Sequence, residues 1–363
     1  MTKNFMTMSN NKTFIIAEAG VNHNGSIKRA IKMIDVCKKI GADAIKFQHF
    51  KADLLVKKNA KKAPYQIKNT KNNQTQYKML KKLELKENQY FVLKNYCKKK
   101  NIKFISSAFD EQSIIFLNDK LKEKIIKIPS GEINNFFLLK ELNIKKNFIL
   151  LSTGMSNYKE IADAINLICK GEIFSVNDGR VNILNKKLHR IIKKRIVILH
   201  CVTDYPVVDK YANLLCVKNM INDFKLNVGY SDHTLGITAP LAAVVYGAKV
   251  IEKHFTLNNF LPGPDHLASL DPVNFRKMIE SIREFEKMRG SGIKKIQECE
   301  KKNIKIARKS LLAKKIIKKG EKFTLENINC KRPGNGLSPM VAKNLLNKKA
   351  TKNYNKDDPI TLK

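Results

Sequence analysis

Polar side chains stand near the C-terminal ends of short apolar runs, where burying them is costly and calls for a chemical reason. Glu18 lies in FIIAEAG, Lys46 and Gln48 in AIKFQHF, Ser106 and Ser107 in KFISSAF, and Lys127 and Ser130 in IIKIPSG. Ser152 and Thr153 fall in FILLSTG, His200 and Thr203 in and just beyond IVILHCV, Ser231 and His233 in NVGYSDH, and Glu252 and His254 in AKVIEKHF. An ammonium in an apolar strand is expensive to desolvate unless an anion faces it. Lys46 and Lys127 therefore point to one of two arrangements: a guest carrying phosphate and carboxylate, with Ser107, Ser130 and Ser231 adding hydroxyls, or internal ion pairs with Glu18 and Glu252. His233 and His254 end consecutive runs, and two neutral imidazoles converging there make a divalent-metal site with positions open to water or substrate.

The elements that must position these groups follow from periodicity. Eight apolar or β-branched runs, at 14–20, 44–50, 103–109, 125–131, 148–154, 196–202, 227–233 and 248–255, are mostly separated by stretches of helical spacing. Continuous apolar strands alternating with helices imply a parallel sheet covered on both faces, and eight of them imply a TIM barrel with its chemistry at the C-terminal strand ends. Ser26 caps a helix that Gly41 stops, and Asp271-Pro272 opens a last helix that Gly290 ends. Its Met and aromatic stripe, Phe275, Met278, Ile279, Ile282 and Phe285, reads as core. Residues 51–86 form a long polar connection on the catalytic face, and 170–195 an insertion on the opposite face. The expected domains are a barrel over 1–290, a charged linker over 291–305, and a small unit over 306–363 with too few strands for a large core, which must therefore pack against something.

Composition narrows the class. The 363 residues carry 70 Lys and Arg against 32 Asp and Glu, a net charge of +38, yet the lysines are spread evenly among Ile and Asn. A nucleic-acid module would cluster them and add a basic arm or an aromatic signature, so no nucleic-acid partner is expected. The positive field helps to recruit an anionic substrate. No run approaches a membrane span, so no membrane partner is expected. The polar start, Met1 to Lys12, lacks a secretory core, and the seven Cys show no metal or disulfide spacing. A cytoplasmic protein with reduced thiols is expected.

From about residue 13 onward, IIAEAGVNHNGS, AIKFQ, KIPSGE, ILLSTGM, YSDHTLG, EKHFT, PGPDH and KRPGNG occur in order. Together they resemble the N-acetylneuraminate (sialic acid) synthases, including the legionaminic branch. The resemblance implies a TIM barrel followed by a small antifreeze-like (SAF) domain, arranged as a domain-swapped homodimer. It implies Mn2+, or Mg2+ or Co2+ in its place, on His233 and His254. Phosphoenolpyruvate is then bound by Lys46, Lys127, Ser130 and Ser231, with Ser107 and Thr203 at two further contact positions, and the N-acylated amino-hexose by Tyr205, Asp265 and Arg332. Glu18 orients or deprotonates the attacking water, and Glu252 serves proton transfer at the sugar aldehyde. The chain departs from the family at SSAF, where a Thr is common in place of Ser107, and at CVTDYP, where Thr203 replaces a frequent Asn; both keep a hydroxyl.

Two rivals remain. One is a phosphoenolpyruvate-dependent synthase making an eight- or seven-carbon acid from a sugar phosphate, against which the KRPGNG tail counts. The other is a basic binding protein on an inactive barrel, against which the intact strand-end Lys, His and Glu count. The stretch FKADLLVKKNAKKAPYQ, the QYKMLKKLEL after it and TDYP look closer to the legionaminic branch. The candidate sugars are N-acetylmannosamine and 2,4-diacetamido-2,4,6-trideoxymannose.

Overall fold

The computed structural model describes residues 12–361; the polar start at 1–11 and the end of the PITL piece lie outside the described residues. The chain divides into two compact units at Arg289/Gly290.

In the first unit, eight parallel strands close into a barrel. They are β1 (Phe14–Gly20), β2 (Ala44–His49), β3 (Lys103–Ala108), β4 (Ile125–Ile128) and β5 (Phe148–Ser152), followed, after the insertion, by β8 (Ile196–His200), β9 (Asn227–Asp232) and β10 (Val250–His254). The insertion contributes a separate antiparallel hairpin, β6 (Phe174–Asn177) and β7 (Arg180–Ile183), and the helix Lys186–Ile192. It runs from the helix after β5 into the start of β8, the N-terminal side of the barrel.

Side chains alternate across each strand, which sorts the residues into two layers. Ile15, Ala17 and Ala19 face the helices in one large core, while Ile16, Ala44, Ile105, Ile125, Phe148, Leu150, Val197, Leu199 and Val250 fill the barrel interior. Ser26 accepts from Arg29 N at 3.3 Å to cap the helix Ile27–Ile40, and Gly41 ends it at φ 89°. Asp271 caps Pro272–Met288 in the same way, accepting from Asn274 N.

The second unit has its own core, in which Leu311, Ala313, Ile317, Phe323, Ile328, Leu345, Ala350, Tyr354 and Ile360 are buried around the antiparallel pair β11 (Ser310–Ala313) and β12 (Ile328–Lys331). The stretch 291–305, read from sequence as a linker, contains a 3-10 turn at Glu298–Glu300 and most of the helix Lys301–Ala307. Its heavy charge hid the short helical register. The long connection 51–86 is likewise more structured than its polarity suggests, with helices at Ala52–Leu55, Pro64–Thr70 and Gln76–Leu83. Among the described residues, no helix is long and apolar enough to cross a membrane.

Candidate active site

The inner face of each barrel strand changes from apolar to polar toward its C-terminal end. Two residues beyond Ile16, Ala44, Ile105, Ile125, Leu150 and Val250 come Glu18, Lys46, Ser107, Lys127, Ser152 and Glu252, and the same period brings Ser231, His233 and His254 inward. These nine side chains line one cavity of about 510 Å³. Ser130, Thr203, Tyr205 and Asp265 line it as well, so every residue singled out from sequence in the first unit as catalytic, substrate-binding or metal-binding shares one site. Arg332 follows β12 in the second unit and is exposed. His200 and Thr153, polar strand-end residues by type, are structural: His200 Nε2 is 2.9 Å from Ala212 O, and Thr153 Oγ1 donates to Leu199 O.

In this structure the lysines pair with the two glutamates. Lys46 Nζ lies 2.7 Å from Glu18 Oε2 and 3.7 Å from Glu252 Oε2, and Lys127 Nζ lies 3.3 Å from Glu252 Oε1. Lys46 also donates to Ser107 Oγ at 2.8 Å, Gln48 to Glu18 at 3.0 Å, and Ser231 to Glu252 at 2.8 Å. The two carboxyls are pushed apart. Burial raises Glu18 above the ordinary carboxylate range, only partly offset by Lys46 and reinforced by the charge of Glu252. Burial would also raise Glu252, but Lys127 and Lys46 outweigh it and hold the group down at about 2. Burial lowers Lys127, whereas for Lys46 the opposite effect of Glu18 and Glu252 wins and the ammonium is held above its usual value. Paired titratable groups with divergent affinities for protons are the signature of an acid–base site.

His233 and His254 place their ring centroids 5.5 Å apart. His233 Nδ1 pairs with Val202 O at 2.7 Å, leaving Nε2 for a ligand, and His254 Nδ1 is buried with no hydrogen-bond partner. Burial drives both rings below their normal pKa, His233 to about 4, so both are neutral donors at physiological pH. An orphaned nitrogen and a carbonyl-oriented imidazole fit a divalent ion. Among the described residues, no group of three or more His, Cys, Asp or Glu is arranged to hold a metal ion.

The Tyr205 ring is tilted against those of His233 and Tyr65, with centroids 4.2 and 5.0 Å away. Burial, with a smaller contribution from Glu18, raises Asp265 to about 7. Sequence reasoning missed Tyr65, Gln66 and Gln76, which line the same cavity from the 51–86 segment. Their signal was weak, because polar residues in a long connection look like solvent-facing loop. Ser152, noted only as a strand-end residue, has a buried Oγ without a hydrogen-bond partner in the cavity wall.

A closed parallel barrel with a buried Lys–Glu cluster and a histidine pair at its C-terminal mouth defines a TIM-barrel enzyme. Residues 33–294 match the NeuB family, and 308–363 match the SAF domain. The chain is 48% identical over 349 residues to N,N'-diacetyllegionaminic acid synthase of Campylobacter jejuni, covering 96% of this chain and 99% of that protein. It is 42% identical over 340 residues to the Legionella pneumophila protein of the same name, covering 94% and 91%. The solved N-acetylneuraminic acid synthetase of Leptospira borgpetersenii, in complex with citrate, superposes with a TM-score of 0.66 at 30% identity, covering 82% of this chain and 91% of that one. The chain belongs to the NeuB family and is a synthase of the sialic-acid type.

Proposed function

We propose that this synthase condenses phosphoenolpyruvate with 2,4-diacetamido-2,4,6-trideoxymannose and water, giving N,N'-diacetyllegionaminate and phosphate. The observation that carries this reading is the Glu18–Lys46–Glu252–Lys127 cluster in a cavity that the histidine pair also lines. The choice of sugar is supported by the 48% identity to the Campylobacter protein over nearly the whole of both chains.

Lys46 and Lys127 exchange part of their pairing with the glutamates for the phosphate and carboxylate of phosphoenolpyruvate, and Ser107, Ser130, Ser231 and Thr203 add hydroxyl donors. C3 of the enol then attacks the sugar aldehyde at C1. Water adds to the cationic C2, and the resulting ester loses phosphate. Glu18, whose raised pKa makes it the better proton acceptor of the two carboxyls, takes the proton of that water. Glu252 holds the lysines and serves proton transfer at the aldehyde oxygen. His233 and His254 would hold a divalent ion, Mn2+ or Mg2+ or Co2+, which supplies Lewis-acid polarisation of the aldehyde. Tyr205, Asp265 and Arg332 bind the sugar, Arg332 from the partner chain of a domain-swapped homodimer working in the cytoplasm. The free state of all seven cysteines suits a reducing compartment.

Phosphate release with phosphoenolpyruvate and each sugar tests the reading. The diacetamido sugar is expected to give the highest kcat/KM, with loss of turnover in chelator and recovery with Mn2+. Faster turnover of N-acetylmannosamine would overturn the sugar, turnover of a sugar phosphate would overturn the class, and full activity in chelator would overturn the metal.

A further inference from the structure

The cavity has a second half that the chemistry of bond formation does not use. Phe50, Leu55, Val56, Leu80 and Phe109 line it, backed by the buried cluster of Val21, Phe50, Met79 and Leu83. Within it stand two carboxamides. Gln66 Oε1 accepts from Ala63 N at 3.0 Å and from Gln76 Nε2 at 3.3 Å, and Gln66 Nε2 donates to Tyr65 OH at 3.2 Å. Gln66 is thereby committed to the protein, whereas Gln76 Oε1 has no hydrogen-bond partner among the described residues. The segment that carries these groups is held in place by its own polar contacts. Lys62 Nζ ties Thr70 Oγ1 and Asn72 O together at 2.7 and 2.6 Å, Asn69 donates to Pro264 O at 2.6 Å, and Tyr77 OH to Asp53 at 2.7 Å.

Position decides what this half meets. The aldehyde must react beside His233 and His254. The Tyr205 ring is 4.2 Å from that of His233 and 5.0 Å from that of Tyr65, and Gln66, bonded to Tyr65 OH, also bonds Gln76, so a continuous row of contacts joins the histidines to this half of the cavity. The distal carbons of the sugar therefore arrive at Gln76 and the apolar wall.

We infer that Gln76, with Leu55, Val56 and Leu80, forms a distal subsite for an acylamino group and a methyl group, and that this subsite selects a diacylamino, 6-deoxy hexose over one bearing hydroxyls there. The inference rests on the sugar class proposed above and assigns the residues that read it. An acylamino N–H donates to Gln76 Oε1, and the acyl and C6 methyls displace water from the leucines. A C6 hydroxyl against the same wall loses its water partners and finds none in return. An apolar pocket discriminates an added hydroxyl by about a hundredfold.

The test is the ratio of kcat/KM for 2,4-diacetamido-2,4,6-trideoxymannose to that for N-acetylmannosamine, measured for wild type, Gln76→Ala and Leu80→Asn. Gln76 and Leu80 are half-buried rather than core, and the thermal midpoint and the KM for phosphoenolpyruvate report whether each variant remains folded with an intact floor. Each substitution is expected to lower the ratio by about tenfold or more, through loss with the diacetamido sugar. If wild type favours the diacetamido sugar but both variants lose the two sugars equally, or lose neither, the subsite is overturned and the sugar assignment stands. A wild type that favours N-acetylmannosamine overturns both.

Discussion

Asp265 shows how a single residue inherits its chemistry from its surroundings. By type it is a carboxylate with a pKa near 4, but burial and the neighbouring Glu18 raise it to about 7. Between those two values the folded state binds more protons than the unfolded one, so stability falls as pH rises across that window and the penalty is complete above it. Asp265→Asn removes the buried charge, and the variant is expected to melt above wild type at pH 8 and to lose that advantage at pH 4. The pH profile of kcat/KM for the sugar should lose an inflection near 7 in the same variant. A melting difference that does not vary with pH would show that Asp265 ionises normally. Neither PGPDH nor its spacing revealed this shift, since desolvation depends on what is packed around the carboxyl.

Among the elements, the strand ends were the most legible in sequence and the connections the least. The two-residue period of β1, β2, β3, β4 and β10 leads from Ile16, Ala44, Ile105, Ile125 and Val250 to Glu18, Lys46, Ser107, Lys127 and Glu252, so the inward column is legible from alternation alone. The turn after β5 is not. A Cβ at Gly154 would collide with Thr203 Oγ1 and fall 2.9 Å from Ser130 Oγ and 3.0 Å from Cys201 Sγ, while Gly154 N donates to Ser130 Oγ at 3.0 Å. This glycine lets the backbone approach two proposed phosphoenolpyruvate contacts at once. Gly154→Ala is expected to raise the KM for phosphoenolpyruvate roughly tenfold and to cost about 1–3 kcal/mol of stability through overpacking. If thermal stability drops while that KM stays put, the glycine serves packing alone. The sequence places the 51–86 segment on the catalytic face, but its individual lining residues were missed for a related reason: its helices are short and its apolar residues sparse, and they form a wall only because Val21, Phe50 and Phe109 reach them from other elements.

In the molecule as a whole, Arg332 lies in a unit with its own core, and the cavity is carried by the barrel. The proposed dimer predicts that chains of Arg332→Ala and Glu18→Ala, each inactive alone, regain activity when mixed, because a heterodimer assembles one site with both wild-type residues. Confirmed subunit exchange without recovered activity would remove Arg332 from the partner's site. Sequence alone determined the number of barrel strands, their parallel order and the side on which the polar groups lie, because those features follow from local periodicity and from the cost of burying a charge in an apolar strand. It also brought the lysines, glutamates and histidines to one mouth, since closing eight strands leaves no other place for their C-terminal ends. Tertiary structure alone decided that the lysines pair with Glu18 and Glu252, that the two carboxyls differ in proton affinity, and that Gln76 and Leu80 line the same cavity as the lysines and histidines. Those outcomes depend on distances of a few ångströms between residues far apart in the chain, where Coulomb and desolvation energies change steeply and periodicity carries no information.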